Sequence, residues 1–306
     1  MIQVTNLSKS FDQLQAVQNL SFSIKKGEVF GLLDPNGAGK STTINIMSTI
    51  LSSDKGKILI DGNDIKKTPN FCKTLIGVVP QEVSLYNEFT AYQNLLFWGK
   101  LYKIPTQELK EKVTAVLELI GLSDRKDDLI KTFSGGMKRR INIASAILHN
   151  PKVLFMDEPT VGVDPQSRNR IFEIIENLNN QGMTIVYTTH YMEEVERLCN
   201  RIAIIDNGKI VAQGTQSELQ KESNVKETIE ITYQSILANQ KKSLLENFQK
   251  ITFKEKSFVI VCDVNKDLVN IISICNAQKI SIEDLKLNKV TLESIFLKLT
   301  GKQLRD

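Results

Sequence analysis

Cysteine is scarce and scattered in this 306-residue chain: Cys72, Cys199, Cys262 and Cys275 are far apart and form no CxxC pair. That argues against a disulfide framework and against a zinc site, and the four read as reduced thiols of the cytosol. No uninterrupted apolar run approaches the ~20 residues needed to cross a bilayer. The opening MIQVTNLSKS lacks the basic-then-apolar order of a signal peptide. Any work at a membrane is therefore expected to need spanning segments from another chain. An excess of one charge is missing too: 39 Lys and Arg against 35 Asp and Glu leave a net charge of +4, with no long basic block, so nucleic acid is not expected as the main partner. Internal repeats and low-complexity segments are also absent.

What is present is an ordinary globular composition, 41% hydrophobic, in a length that suits one large domain and a small one. EVFGLL (28–33), LIGVV (75–79), KVLFM (152–156) and TIVYTT (184–189) are near-continuous apolar or β-branched runs. They predict strands buried on both faces of a largely parallel sheet. QVTNLSKSF, AVQNLSFSI and GKILIDGNDI alternate polar with apolar residues and predict a smaller antiparallel sheet beside it. RIAIIDNGKIVAQG (201–214) reads as a hairpin turning at Asn207-Gly208. TAYQNLLFWGKLY and TQELKEKVTAVLELIGL carry helical spacing, with Thr90 and Thr106 as expected caps, and predict a helical lobe over about 82–140. From about Glu222 a strand-helix-strand-helix-strand series and a final helix predict a small α+β domain. The expected division is 1–220 and 221–306.

GLLDPNGAGKSTT (31–43) places a glycine-rich turn between a strand and a helix. Backbone N–H groups of Asn36, Gly37, Ala38, Gly39, Lys40 and Ser41 are expected to converge on phosphate oxygens at the positive end of that helix, beside Thr42. Lys40 is expected to reach the same oxygens, and the Ser41 hydroxyl to ligate Mg²⁺. The motif calls for glycine where this chain has Asp34. A carboxylate ~6 Å from a phosphate charge, at an effective dielectric of ~20, costs about 3 kcal/mol as an upper bound. KVLFMDEPT follows a buried strand with two acids: Asp157 is expected to hold the metal and Glu158 to polarise the attacking water. His190, in TTH after the next strand, stands where a γ-phosphate is within reach. His149, in LHNP at a helix end, reads as a capping or surface residue.

FSGGMKRRINIASAILHNPKVLFMDEPT resembles the signature segment of ABC ATPases, and further elements of that family follow in order. Phe11 matches the aromatic that stacks on adenine, Gln81 the glutamine that touches metal and water, Glu158 the catalytic glutamate, Asp164 the loop that crosses the dimer interface, and His190 the switch histidine. The resemblance covers Met1 to about Glu218. It implies an α/β fold of phosphate-loop NTPase type, with the antiparallel β subdomain and the helical lobe as appendages. It also implies Mg²⁺-dependent ATP hydrolysis, with Ser41, Gln81 and Asp157 around the metal. Two nucleotide domains, identical or different, are implied to pack head to tail, so that Ser134, Gly135 and Gly136 of one grip the nucleotide held by the other.

Roughly a hundred residues separate the phosphate loop from the signature, too few for the coiled coil of repair ATPases, and one such domain per chain is unlike the translation factors. The chain resembles a separate ATP-binding subunit at the cytoplasmic face of a membrane, attached through a transmembrane permease. VFGLL, PNGAGKSTTINIMSTIL, TVGVDP and the ending LESIFLKLTGKQLRD resemble the drug- and antibiotic-export branch, like daunorubicin-resistance ATPases. Tyr86 and Phe89 read equally as a groove for the permease or as lobe core, and Trp98, beyond Tyr92, as core. The competing reading is a nucleotide-binding regulatory module whose turnover is impaired by Asp34.

Overall fold

The computed structural model describes residues 1–33 and 39–300. The chain divides into two compact units, the first built on Met1–Gln216 and the second on Ser217–Lys302. In the first, β1 (Ile2–Phe11), β2 (Leu14–Ile24) and β3 (Val29–Leu33) lead to α1 (Lys40–Met47), β4 (Lys55–Ile60), β5 (Asn63–Asp64), α2 (Pro69–Leu75) and β6 (Ile76–Val79). The helices α3 (Ala91–Leu101), α4 (Thr106–Leu119) and α5 (Gly135–Ile147) follow. Then come β7 (Val153–Asp157), α6 (Pro165–Asn180), β8 (Thr184–Thr189), α7 (Met192–Leu198), β9 (Arg201–Asp206) and β10 (Lys209–Gly214).

Two sheets carry this unit. The larger has the order β10-β9-β3-β8-β7-β6, parallel except for the β9–β10 hairpin. Asn207 and Gly208 turn that hairpin with positive φ at both positions, the twist a two-residue connection needs. The smaller sheet is antiparallel, in the order β2-β1-β4-β5. Both faces of the parallel sheet are covered, which is why its strands are apolar at nearly every position. Leu154, Met156, Ile185 and Tyr187 face the core that Leu95, Leu109, Val113, Ile143 and Ile171 fill from the helices. Phe30, Leu32, Phe155 and Val186 face Ile2, Val4, Leu20, Ile58 and Ile60 of the antiparallel sheet.

Thr90 caps α3 in a reciprocal box with Gln93. Thr106 does not cap α4: Pro105 occupies that position, its carbonyl accepting from Leu109 N at 2.8 Å, and Thr106 is the first helical residue. Proline's fixed φ suits the entry, so no side-chain cap is made.

The second unit contains α8 (Gln216–Ser223), which begins at the seam, then β11 (Thr228–Tyr233), α9 (Ala238–Asn247), β12 (Ile251–Phe253), β13 (Ser257–Val261), α10 (Val264–Ala277), β14 (Ile282–Asn288) and α11 (Leu292–Thr300). Its antiparallel sheet, β12-β13-β11-β14, packs Ile229, Ile231, Tyr233, Phe258 and Ile260 against Leu244, Ile271 and Cys275 of α9 and α10. The three-residue β12 has no counterpart in the sequence reading.

Candidate active site

The C-terminal ends of β3, β6, β7 and β8 lie side by side in the parallel sheet, the edge at which open α/β sheets bind ligands. β3 leads into the phosphate-loop segment. Asp34, Asn36, Gly37 and Ala38 of that segment lie outside the described residues. After it, Gly39 precedes α1 with φ of 123°, a conformation that favours glycine. α1 has no side-chain cap and no acid in its first turn, so the backbone N–H groups at Ser41 and Thr42 keep the positive character that suits an anion.

Glu158 stands at the focus. It follows β7 with φ of 46°, the left-handed region that a non-glycine residue adopts only when its surroundings impose it. Here they do: its N–H donates to both the carbonyl and the hydroxyl of Thr188 on β8, each at 3.1 Å. The turn brings the Glu158 carboxylate to three partners. Lys40 Nζ and His190 Nδ1 each lie 3.3 Å from its Oε1, and Gln81 Nε2 donates to its Oε2 at 3.4 Å. Lys40 is 2% exposed, and its Nζ also donates to the Thr189 carbonyl at 3.3 Å. The chain thus brings Gln81, Glu158 and His190, from just beyond the ends of β6, β7 and β8, together with Lys40 from the start of α1. Asp157 ends β7 and is buried, one carboxylate oxygen accepting from Thr188 Oγ1 at 2.6 Å. A buried carboxylate, the Ser41 hydroxyl and the Gln81 amide are oxygen donors, the chemistry that Mg²⁺ takes. Phe11 ends β1 with its ring 43% exposed and Lys9 Nζ 5.5 Å from the ring centre.

Ser134, Gly135 and Gly136 open α5. Ser134 caps it by accepting from Met137 N at 3.3 Å, and both Ser134 and Gly135 are exposed. Gly136 must be glycine on packing grounds, since a Cβ there would overlap Ser167 of α6. Among the described residues, no hydrogen bond or ion pair joins Ser134, Gly135 or Gly136 to the Lys40–Glu158 cluster. Asp164 caps α6 by accepting from Ser167 N at 2.9 Å, and those hydrogen bonds hold its carboxyl below the usual range.

Two residues of the site were not singled out in the sequence. Arg139 of α5 is buried, and its guanidinium donates to the carbonyls of Pro80 at 2.7 Å and Gln81 at 2.6 Å. Burial lowers its pKa from the ordinary arginine value. Glu194 of α7 is 2% exposed and accepts hydroxyl protons from Thr160, Tyr187 and Thr189. Spacing singles out neither: Arg139 has Ile143 four on but Asn142 three on, and Glu194 has Leu198 four on but Arg197 three on.

His149 is neither a cap nor a bare surface group. It is half-buried, its ring stacked on Tyr102 at 3.7 Å and 6°, with Nε2 2.9 Å from the Ile76 carbonyl. Tyr86 and Phe89 are 48% and 38% exposed and join Phe97 in an aromatic group. Trp98 and Tyr92 pack against the main core.

Residues 17–161 match the family described as ABC transporter. The chain is 45% identical over 311 residues, all of both chains, to the linearmycin resistance ATP-binding protein LnrL of Bacillus subtilis (strain 168). This chain belongs to the ABC transporter family. It is an ATP-binding, ATP-hydrolysing subunit. The ABC match extends to the daunorubicin/doxorubicin resistance ATP-binding protein DrrA of Streptomyces peucetius, 39% identical over 71% of this chain and 66% of that one. Among solved ABC proteins, cbiO1 from Clostridium perfringens, part of the ABC transporter complex cbiONQ, covers 72% of this chain and is itself covered to 90%, with a TM-score of 0.67 and 31% identity. Among the described residues, no helix is long and apolar enough to cross a membrane.

Proposed function

We propose that this chain powers an exporter of drug-like or antibiotic molecules, binding ATP between two nucleotide domains and hydrolysing it with Glu158. The observation that carries this reading is the convergence of Lys40, His190 and Gln81 on one carboxylate, while Ser134 and Gly135 of the signature are exposed on a separate helix start. Half of a complete site is thereby presented on each of two surfaces of the chain, which suits head-to-tail pairing with a second copy or a related subunit.

In this reading, Phe11 stacks on adenine, and the backbone from Asn36 through Thr42, together with Lys40, cradles the phosphates. Mg²⁺, held by Ser41, Gln81 and Asp157, neutralises phosphate charge when bound. Glu158 accepts a hydrogen bond from the attacking water and draws its proton away as the γ-phosphoryl group leaves ADP. His190 orients the Glu158 carboxylate and reaches the γ-phosphate, and Gln81 aligns the water. Ser134, Gly135 and Gly136 supply N–H groups to the partner's nucleotide across an interface bordered by Asp164.

Residues 1–220 act as the catalytic domain and 221–306 as an accessory domain. The subunit sits at the cytoplasmic face of the membrane through a permease, for which the exposed rings of Tyr86 and Phe89 offer an apolar contact. Similarity to LnrL along the whole chain, second unit included, supports the export branch. The test of the branch is complementation: cells lacking this chain should become sensitive to linearmycin or daunorubicin, and wild type should restore resistance where Glu158→Gln does not. Restoration by Glu158→Gln would reject the proposal.

A further inference from the structure

Glu194 is the most buried carboxylate near the site, and among the described residues it makes no bond to the Glu158 cluster. Its Oε1 accepts from Thr160 Oγ1 at 2.7 Å, with Arg168 Nε at 3.8 Å. Its Oε2 accepts from Tyr187 OH at 2.8 Å and Thr189 Oγ1 at 2.9 Å. All three hydroxyl residues are 0% exposed. Three hydroxyl donors around one buried anion, with the Arg168 guanidinium at ion-pair distance, is the arrangement that offsets its desolvation.

The donors come from the two segments that carry the hydrolytic pair. Thr160 lies two residues after Glu158, in a loop that closes through Val161 N to the Glu158 carbonyl and Val163 N to the Thr160 carbonyl. Thr189 immediately precedes His190, and its hydroxyl also accepts from Tyr191 N at 3.0 Å, across His190. Arg168 lies over the Tyr191 ring at 5.1 Å, and that ring contacts His190 at 4.1 Å. One carboxylate therefore holds, through its two oxygens, the loop after Glu158 and the residue before His190.

We propose that Glu194 is a positioning residue for ATP hydrolysis, fixing the Glu158 loop against the His190 loop so that Oε1 of Glu158 stays within reach of His190 Nδ1. This inference rests on the reading of Glu158 and His190 as the hydrolytic pair. Tyr187 shares the carboxylate but lies in the middle of β8, so its hydroxyl anchors Glu194 without holding either loop.

Phosphate release, ATP KM and the unfolding temperature of wild type, Glu194→Gln, Thr160→Val, Tyr187→Phe and Glu158→Gln together decide it. Glu194→Gln keeps the shape of the side chain but turns an amide NH₂ toward hydroxyls that were donating. Thr160→Val removes one hydroxyl and keeps the branching, so it decides the matter should the Glu194→Gln variant fail to fold. Glu194→Gln and Thr160→Val are expected to lower kcat by at least about tenfold with KM within about threefold, and Tyr187→Phe to keep kcat within about threefold. Wild-type kcat in Thr160→Val beside an inactive Glu158→Gln would overturn the inference. So would an equal loss in Thr160→Val and Tyr187→Phe that follows their unfolding temperatures, the pattern of a purely structural anchor. Wild-type turnover by Glu158→Gln would instead remove the catalytic reading, and this inference with it.

Discussion

Glu158 shares its two oxygens among a lysine, a histidine and an amide, and its left-handed backbone costs of the order of 1–3 kcal/mol that the Thr188 hydrogen bonds help to offset. Asp34 is the residue at which the phosphate loop leaves its pattern. If its carboxylate repels the phosphates, Asp34→Gly should bind ATP more tightly, by up to about a hundredfold; equal affinities in a nucleotide titration would show the repulsion to be negligible. His149 is a second residue with a measurable consequence. Burial lowers its pKa below the ordinary 6.5, with the Ile76 hydrogen bond opposing and Lys112 assisting. With Nε2–H donated to Ile76, a second proton would go on Nδ1, which is buried without a hydrogen-bond partner among the described residues. The unfolded chain binds that proton more tightly, so the native state keeps full stability above the ordinary value and loses it as pH falls through the window below. Urea unfolding between about pH 7 and about pH 5 should therefore be steeper in pH for wild type than for His149→Gln; parallel curves would contradict this.

At the scale of elements, Arg139 shows how α5 does more than present the signature. Its guanidinium carries the Pro80–Gln81 turn on the end of β6, so the helix that begins at Ser134–Gly136 reaches back to Gln81, the glutamine proposed to align the attacking water. Arg139→Ala leaves two carbonyls without donors and should cost about 2–4 kcal/mol in stability, with turnover falling about tenfold as Gln81 loses its anchor. Unfolding and phosphate release measure the two; unchanged turnover in a folded variant would show that Gln81 needs no such support. The strands of the parallel sheet were legible because burial on both faces leaves a continuous apolar run, and α3 because apolar residues recur at helical spacing after Thr90, a cap that the structure completes with Gln93. β12 was not legible, since three residues carry no period, and the start of α4 was misplaced because Pro105 enters the helix through backbone geometry without a side-chain signal. Motif residues such as Lys40, Glu158 and His190 could be found from spacing. Arg139 and Glu194 could not, because their partners are backbone carbonyls and hydroxyls contributed by distant strands and loops, a relation that exists only once the sheet has formed.

For the whole molecule, the arrangement is an incomplete site on each of two surfaces. The Lys40–Glu158 cluster lies at the sheet edge, and the exposed Ser134–Gly135 start of α5 shares no bond with it among the described residues. In the proposed function two copies, or this chain and a related one, supply what each lacks, and removal of the γ-phosphate would loosen the pair and convert binding energy into motion of a permease. Phe11 ends β1 of the antiparallel sheet, and the likeness to LnrL runs through the full chain, second unit included. The central claim is that Glu158 drives ATP hydrolysis in this constellation. Steady-state phosphate release by the purified chain with Mg²⁺ and ATP, beside Glu158→Gln, tests it most directly: the account predicts turnover by wild type at least about a hundredfold above the variant, and equal rates in the two would contradict it.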